Sequence, residues 1–530
     1  MKKLPLGIQN FREIIKGGYV YVDKTRYVYD LINSCKYYFL SRPRRFGKSL
    51  LLDTIAEAFS GDRELFKGLW IYESDYEFKK HPVIHIDMSN IANKTPEILE
   101  NELLSELRKL TNAEGLEIDY GTPSSVFKTL IEELHKKHDQ RVVVLIDEYD
   151  KPILDHLHDT MIAEANRIVI RGFYGVLKSM DPHLKMTFIT GVSKFTRTSI
   201  FSEMNNLLDI TMIKEYSSIC GVPVEELRKY FGEHIENLAS YDYFKRYSCL
   251  HDKILEWYDG YSWDGDARVI NPFGLLSFFL SKKFSGFWYA SGSPKFLMDM
   301  IKERPELYVN LNNLRIGEWA MDTFDVHSMQ AAPLLFQTGY LTVKEIIYTL
   351  DTPTYLLDIP NLEVREAFNM HILVELTEKG PADVESAYRR IYEALYTGDL
   401  RGILNILRGL FASIPYELHI KHESYYHSIF YAIMNLLGFD IEAEASVSGG
   451  RVDAVLELGD KVYVVEFKYE HCARDASPEE KRKLFDKALD EGLEQIMNRG
   501  YAKKYEGSGK TVYQAAFAFL GRDDIELRQS

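Results

Sequence analysis

From Tyr37 to about Leu208, short apolar runs alternate with amphipathic stretches whose apolar positions recur at helical spacing. The runs Tyr37 to Ser41, Val83 to Asp87, Val142 to Asp147 and Lys185 to Thr190 read as strands. Runs this apolar belong in a parallel sheet covered by helices on both faces. From about Lys214 to Leu400 the pattern is mostly helical. A β-like interlude at Leu341 to Lys344 and Tyr355 to Ile359 breaks it and stops at Pro360, so a helical or winged-helix-like lid is expected. From about Tyr416 a helix, strands at Arg451 to Leu458 and Lys461 to Lys468, a helix at Glu479 to Asn498 and a strand at Val512 to Phe519 form a separate α/β unit. The predicted fold class is therefore α/β, with a parallel-sheet part over 1–213, a mostly helical middle over 214–400 and a second α/β part over 401–530.

Chemistry enters at the end of the first strand. FLSRPRRFGKSLLLDTIAEAF runs from strand through loop to Gly47, Lys48, Ser49 and a helix, the order a phosphate cradle requires. A helix N-terminus offers unpaired N–H groups and partial positive charge, Lys48 reaches the outer phosphates, and the Ser49 hydroxyl ligates magnesium. Arg42 stands where the usual spacing has its first glycine, and with Arg44 and Arg45 it adds cations that suit a polyphosphate. Arg44, Arg45, Phe46, Gly47, Lys48, Ser49 and Leu50 are the expected contacts of a nucleotide such as ATP. In RVVVLIDEYDKP the five apolar residues Val142 to Ile146 read as a central strand, and the carboxylates Asp147 and Glu148 fall at its carboxyl end, where such sheets bind ligands. Asp147 would hold the magnesium and Glu148 would polarise the attacking water. After the next strand, Thr190, Ser193 and Lys194 are candidates to sense the γ-phosphate, with Arg171 and Arg197 as candidate arginine fingers.

A second constellation lies near the C-terminus. GGRVDAVLELGDKVYVVEFKYE supplies Asp453, then Glu466 and Lys468, and strand alternation puts the last two on one face. Two carboxylates on adjacent strands are tolerable around a divalent metal, and a neighbouring lysine can orient water or stabilise charge on a phosphate. Glu423, one helical turn from His427, and Gln495, followed by Tyr501, are accessory candidates.

Composition sharpens this picture at three points. At 530 residues the chain is too long for one core, and 46% hydrophobic with 27% charged residues is the make-up of an ordinary globular protein. Four scattered cysteines form no CxxC pair and no apolar run approaches a membrane span, so a reducing cytoplasm and no membrane partner are expected. A net charge of -15 excludes a protein that coats nucleic acid by electrostatics alone, although residues 1–60 carry eleven Lys and Arg against five Asp and Glu.

YVDKTRYVYDL, SRPRRFGKSLLLDTI, VVVLIDEYDKPI, TGVSKFTRTSIFSEMNNL and EWYDGYSWDG resemble the AAA-ATPase-like family of bacteria and archaea. YYHSIFYAIMNLLGF, GRVDAVLELGDKVYVVEFKYE and ALDEGLEQIMNRGYAKKY resemble its usual C-terminal partner, a PD-(D/E)XK nuclease-superfamily domain. The resemblance implies a P-loop ATPase domain and a restriction-endonuclease-like domain. RPRRFGKS is that family's own phosphate loop, so Arg42 is a family trait. It further implies ATP-driven, magnesium-dependent action on nucleic acid, DNA before RNA, with Asp453, Glu466 and Lys468 as the catalytic core and Glu423 and Gln495 as accessories; a homo-oligomer is compatible. The alternative is a nucleotide-driven switch or scaffold whose C-terminal domain binds a partner without cleaving.

Overall fold

The computed structural model describes residues 1–119, 121–194, 206–288, 314–321, 331–349, 352–377, 379–411, 432–435, 440–444, 451–472, 476–499, 509–520 and 524–530. They fall into two compact units, Met1–Gly292 with Asn313–Glu363, and Ser293–Asn312 with Val364–Ser530. The architecture is α/β throughout.

In the first unit β1 (Tyr37–Ser41), β2 (Val83–Asp87), β3 (Val142–Asp147), β4 (Leu184–Gly191) and β5 (Leu208–Asp209) form one sheet in the order β2-β3-β4-β1-β5. Every pairing is parallel. All six residues of β3 are buried, as a central strand with helices on both faces demands. The parallel register lines up Ser41 with Gly191 and Asp87 with Asp147, so the residues ending these strands gather at the carboxyl end of the sheet. The helices Val224–Ala239, Leu250–Tyr258 and Pro272–Ser281 follow, packed through Leu227, Phe231, Ile254, Tyr258 and Phe278. The β-like interlude is a three-stranded antiparallel sheet in the order β6-β8-β7, from β6 (Leu314–Gly317), β7 (Thr342–Thr349) and β8 (Thr352–Asp358). Its strand β6 gave no sequence signal, being four residues long.

The second unit holds a mixed sheet in the order β13-β12-β11-β10-β9, from β9 (Asp440–Glu444), β10 (Arg451–Leu458), β11 (Lys461–Glu470), β12 (Thr511–Leu520) and β13 (Asp524–Gln529). The pair β11 and β12 is parallel and therefore needs a crossover, which the Pro478–Arg499 helix supplies. That helix packs Ala488, Leu489, Leu493 and Ile496 onto Val462, Val464, Ala516 and Ala518. Gly492 lets it come close, since a Cβ there would stand 2.8 Å from the Ala516 Cβ. On the other face Tyr463 stacks on Tyr513 at 4.9 Å, and its hydroxyl donates to the Leu395 carbonyl in the Pro381–Thr397 helix. The edge strands β9 and β13, polar and short, were not foreseen. Among the described residues no helix is long and apolar enough to cross a membrane.

Candidate active sites

After β1 the chain turns through the loop into the Lys48–Ala58 helix. Gly47 caps this helix with φ 94°, a left-handed conformation that costs glycine nothing and strains other residues. Its place at the cap is a matter of backbone, because a Cβ would meet nothing within 4 Å. Arg45 is also left-handed, at φ 67°, with its guanidinium 3.8 Å from the centre of the Phe273 ring. Phe46 is buried edge-on to Tyr261 at 4.8 Å and Trp263 at 5.6 Å, so its side chain anchors the loop. Arg44 accepts the indole N–H of Trp288 on its carbonyl at 3.0 Å.

Arg42 is the first surprise. It is fully buried, lies 3.8 Å from the centre of the Trp263 ring, and donates to the carbonyls of Ser41 at 2.8 Å, Thr211 at 3.0 Å and Tyr216 at 3.1 Å. Burial lowers its pKa to about 10. Its cation is spent holding β1 against the segment after β5, so of the three arginines only Arg44 and Arg45 line the cavity.

That cavity, of about 540 Å³, is lined on its polar side by Arg44 to Ser49, Asp147, Glu148 and Lys151, and on its apolar side by residues such as Leu6, Val20, Val222, Phe273 and Leu276. Leu50 lines it as well. Lys48 is buried, with its ammonium on the carbonyls of Arg42 at 3.0 Å and Pro43 at 3.2 Å and 3.3 Å from Glu148 Oε1. The Ser49 hydroxyl donates to Asp147 Oδ2 at 2.5 Å, while Asp147 Oδ1 accepts the Thr190 hydroxyl at 2.6 Å and the Glu148 N–H at 3.0 Å. Glu148 adopts φ 50°, a conformation uncommon for a residue with a Cβ, and this turn carries its carboxylate towards Lys48.

Ser193 is not among the residues lining this cavity. It is fully buried, and both its N–H and its hydroxyl donate to Asp150 Oδ2 at 2.6 Å. The same carboxylate oxygen accepts the Val192 N–H at 3.0 Å, so Asp150 clamps the end of β3 to the end of β4. Burial first and then the charge of Glu148 push the Asp150 carboxyl up to about 6, against the pull of these hydrogen bonds. Asp150 was legible as a residue but not as this clamp, which only the register of β3 and β4 brings about. Lys194 pairs with Asp209 at 2.8 Å. Arg171 lies in the Thr160–Ser179 helix, away from the cavity lining, and Arg197 lies outside the described residues.

In the second unit the β10 and β11 register sets Asp453 opposite Glu466. Glu466 is 2% exposed and its Oε1 has no hydrogen-bond partner, while the Lys468 ammonium stands 3.3 Å from that oxygen and donates to Gln495 Oε1. The approach at Gly492 brings Gln495 there, since a Cβ on this glycine would also stand 3.6 Å from Glu466 Cγ and 3.7 Å from Lys468 Cγ. Glu466, Lys468 and Gln495 are thus together. A buried carboxylate oxygen lacking a hydrogen bond, opposite a second acid in the ladder, is a donor set suited to a hard divalent cation. Among the described residues no three His, Cys, Asp or Glu side chains cluster as a metal site. Glu423, His427 and Tyr501 lie outside those residues, as does the predicted helix after Tyr416 except for 432–435.

These two sites define the class: a nucleoside-triphosphatase-like parallel-sheet unit joined in one chain to a unit with a nuclease-like carboxylate and lysine core. Residues 5–201 match the family model described as predicted AAA-ATPase, and residues 421–526 match that of the PD-(D/E)XK nuclease superfamily. A relative from Azotobacter chroococcum mcd 1, named "Uncharacterized protein in vnfD 5'region", is 35% identical over 524 residues, covering 98% of this chain and 96% of its own length. The chain belongs to the AAA-ATPase-like family with a C-terminal PD-(D/E)XK nuclease-superfamily domain. No solved structure matches it.

Proposed function

We propose that the chain binds and hydrolyses ATP and that this activity is coupled to a magnesium-dependent nuclease acting on nucleic acid, DNA in the first instance. The observation that carries the reading is the Ser49 hydroxyl on the Asp147 carboxylate, two residues 98 positions apart joined in the lining of a cavity of about 540 Å³. Ser49 and Asp147 hold magnesium there, and Lys48 holds the outer phosphates. Lys48 and Glu148 now neutralise each other at 3.3 Å; phosphate oxygens compete for the lysine, and Glu148 is then free to accept a proton from water. In the second unit Asp453 and Glu466 hold the divalent cation, which supplies charge neutralisation on the scissile phosphate. Lys468, oriented by Gln495, stabilises the charge that develops on the phosphate oxygens.

The test is cleavage of single- and double-stranded DNA and RNA by the purified full chain with magnesium or manganese, with and without ATP. Wild type cuts, ATP modulates the rate, and Asp453→Ala and Lys468→Ala abolish cutting. A wild-type protein that cuts nothing under every metal and nucleotide condition sinks the nuclease reading. Nucleotide-dependent association of Asp453→Ala with a partner, unchanged from wild type, would then establish the switch in its place.

A further inference from the structure

The segment Ser240 to Ser248 reads SYDYFKRYS, and Leu280 to Trp288 reads LSKKFSGFW. In a chain of net charge -15, these two stretches together hold Lys245, Arg246, Lys282 and Lys283 against the single acid Asp242. The fold brings them side by side. Lys282 lies 4.3 Å from the centre of the Tyr241 ring and donates to its hydroxyl at 2.5 Å, and Tyr247 meets Phe284 edge-on at 5.7 Å. Arg246 lies 4.0 Å from the centre of Tyr243 and donates to the Tyr247 hydroxyl at 2.7 Å.

The tyrosines are held outward on a rigid base. Phe244, between them in sequence, is buried against Phe278 at 5.9 Å and Phe284 at 6.1 Å, and Phe284 in turn stacks on Phe278 at 4.6 Å and Trp257 at 5.5 Å. Turn hydrogen bonds from Phe244 N–H and Tyr247 N–H to the carbonyls of Tyr241 and Phe244 fix the segment. Tyr241 and Tyr243 nonetheless remain 41% and 45% exposed. Lys282 ends the Pro272–Ser281 helix at φ 55°, where glycine is the unstrained choice, and this is the residue that delivers its ammonium to Tyr241.

We infer that this patch of the first unit binds single-stranded nucleic acid, with bases stacking on the Tyr241 and Tyr243 platforms and Arg246, Lys245, Lys282 and Lys283 following the phosphates. Exposed rings with one cation beside each suit bases, which present flat π surfaces beside regularly spaced negative charge. A lipid surface or an acidic polypeptide offers the charge without the flat rings. The inference stands whether or not the second unit cuts, because the contact belongs to the ATPase unit.

The experiment measures fluorescence anisotropy of a labelled oligothymidylate with the full chain carrying Asp453→Ala, in EDTA so that cleavage plays no part. In that background Tyr243→Ala with Arg246→Ala and Lys282→Ala weakens binding about tenfold or more. The slope of log affinity against log salt falls by about 0.7 for each cation removed. Tyr243→Phe keeps the affinity and Tyr243→Leu loses it, which separates ring stacking from the hydroxyl and from folding. The exposed Lys109→Ala is the matched control, and ATP turnover in an otherwise wild-type chain is unchanged by the patch substitutions. Unchanged affinity and slope in the triple variant overturn the inference. So does an equal loss on a duplex, or displacement of the oligonucleotide by polyglutamate as readily as by unlabelled oligothymidylate.

Discussion

The two sites solve the problem of gathering charge in opposite ways. At the phosphate site the lysine and the acids are already engaged: Lys48 sits on two carbonyls and beside Glu148, Asp147 accepts three donors, and Asp150 accepts from Val192 and Ser193 just after β4. In the second unit Glu466 is equally buried, yet its Oε1 has only the Lys468 ammonium at 3.3 Å and no hydrogen bond. Saturated groups fix a cradle before the ligand arrives; a buried carboxylate oxygen with an ion pair but no hydrogen bond keeps lone pairs open to a further partner. The first site is therefore expected to depend on single side chains for chemistry, and the second on how closely its helix and strands pack.

The sharpest break between them is a crossed pair of substitutions. Lys48→Ala removes the group expected to meet the outer phosphates and lowers ATP turnover by about 10²–10³-fold. Lys468→Ala leaves turnover near wild type and abolishes cleavage. Phosphate release and strand cleavage measured on both variants check this, and loss of turnover in Lys468→Ala would mean that the two sites are not separable.

Next in size is a pH effect confined to the first unit. The folded carboxyl of Asp150 titrates near 6, above its ordinary 3.8, so the protonated form is the one folding favours. Its contribution is fully present below about pH 4, is lost as pH rises through about 6, and amounts to roughly 3 kcal/mol. Asp150→Asn removes that slope. Denaturant unfolding of both proteins from about pH 4 to 7, nucleotide-free and in EDTA, shows wild type losing stability relative to the variant; parallel curves would refute the clamp's protonation.

The second unit answers to packing. Gly492→Val forces methyl groups into a space where even a Cβ would overlap Ala516 at 2.8 Å, and the expected loss is about 2 kcal/mol. Because Gly492 also governs how near Gln495 comes to Lys468, cleavage falls with stability while ATP turnover is unchanged. Unfolding monitored beside turnover tests both halves.

Much of this could be read before the fold was known, and the reason is local. β1, β2 and β3 are bounded to the residue by the sequence because each is a short apolar run that ends at a polar residue, Ser41, Asp87 and Asp147. Lys48, Ser49, Asp147 and Glu148 were legible because helix start and strand end are local signals too. What stayed hidden depends on distant partners. Arg42 looked like a phosphate cation until the carbonyls of Thr211 and Tyr216 claimed it, some 170 residues away. Ser193 looked like a sensor until β3 and β4 met and Asp150 took its hydroxyl. The edge strands β9 and β13 escaped because DIEAE and DIELRQ have no apolar run to announce them.

The smallest effect probes how far saturation at the phosphate site can be thinned. Thr190→Val keeps the volume and the β-branched fit to β4 while deleting the hydroxyl that donates to Asp147 Oδ1 at 2.6 Å. That oxygen still accepts the Glu148 N–H at 3.0 Å, and Oδ2 keeps Ser49, so the carboxylate is loosened but not stranded. The loss is about 1 kcal/mol, the net worth of one hydrogen bond, and reads as a fall of roughly fivefold in ATP turnover. Thr190→Ser, which restores the donor, recovers most of it, and KM for ATP moves little because Thr190 does not line the cavity. A hundredfold fall in Thr190→Val would show that this hydroxyl acts on the nucleotide itself, as a sensor would, and the saturated cradle would then have one support fewer than its hydrogen bonds suggest.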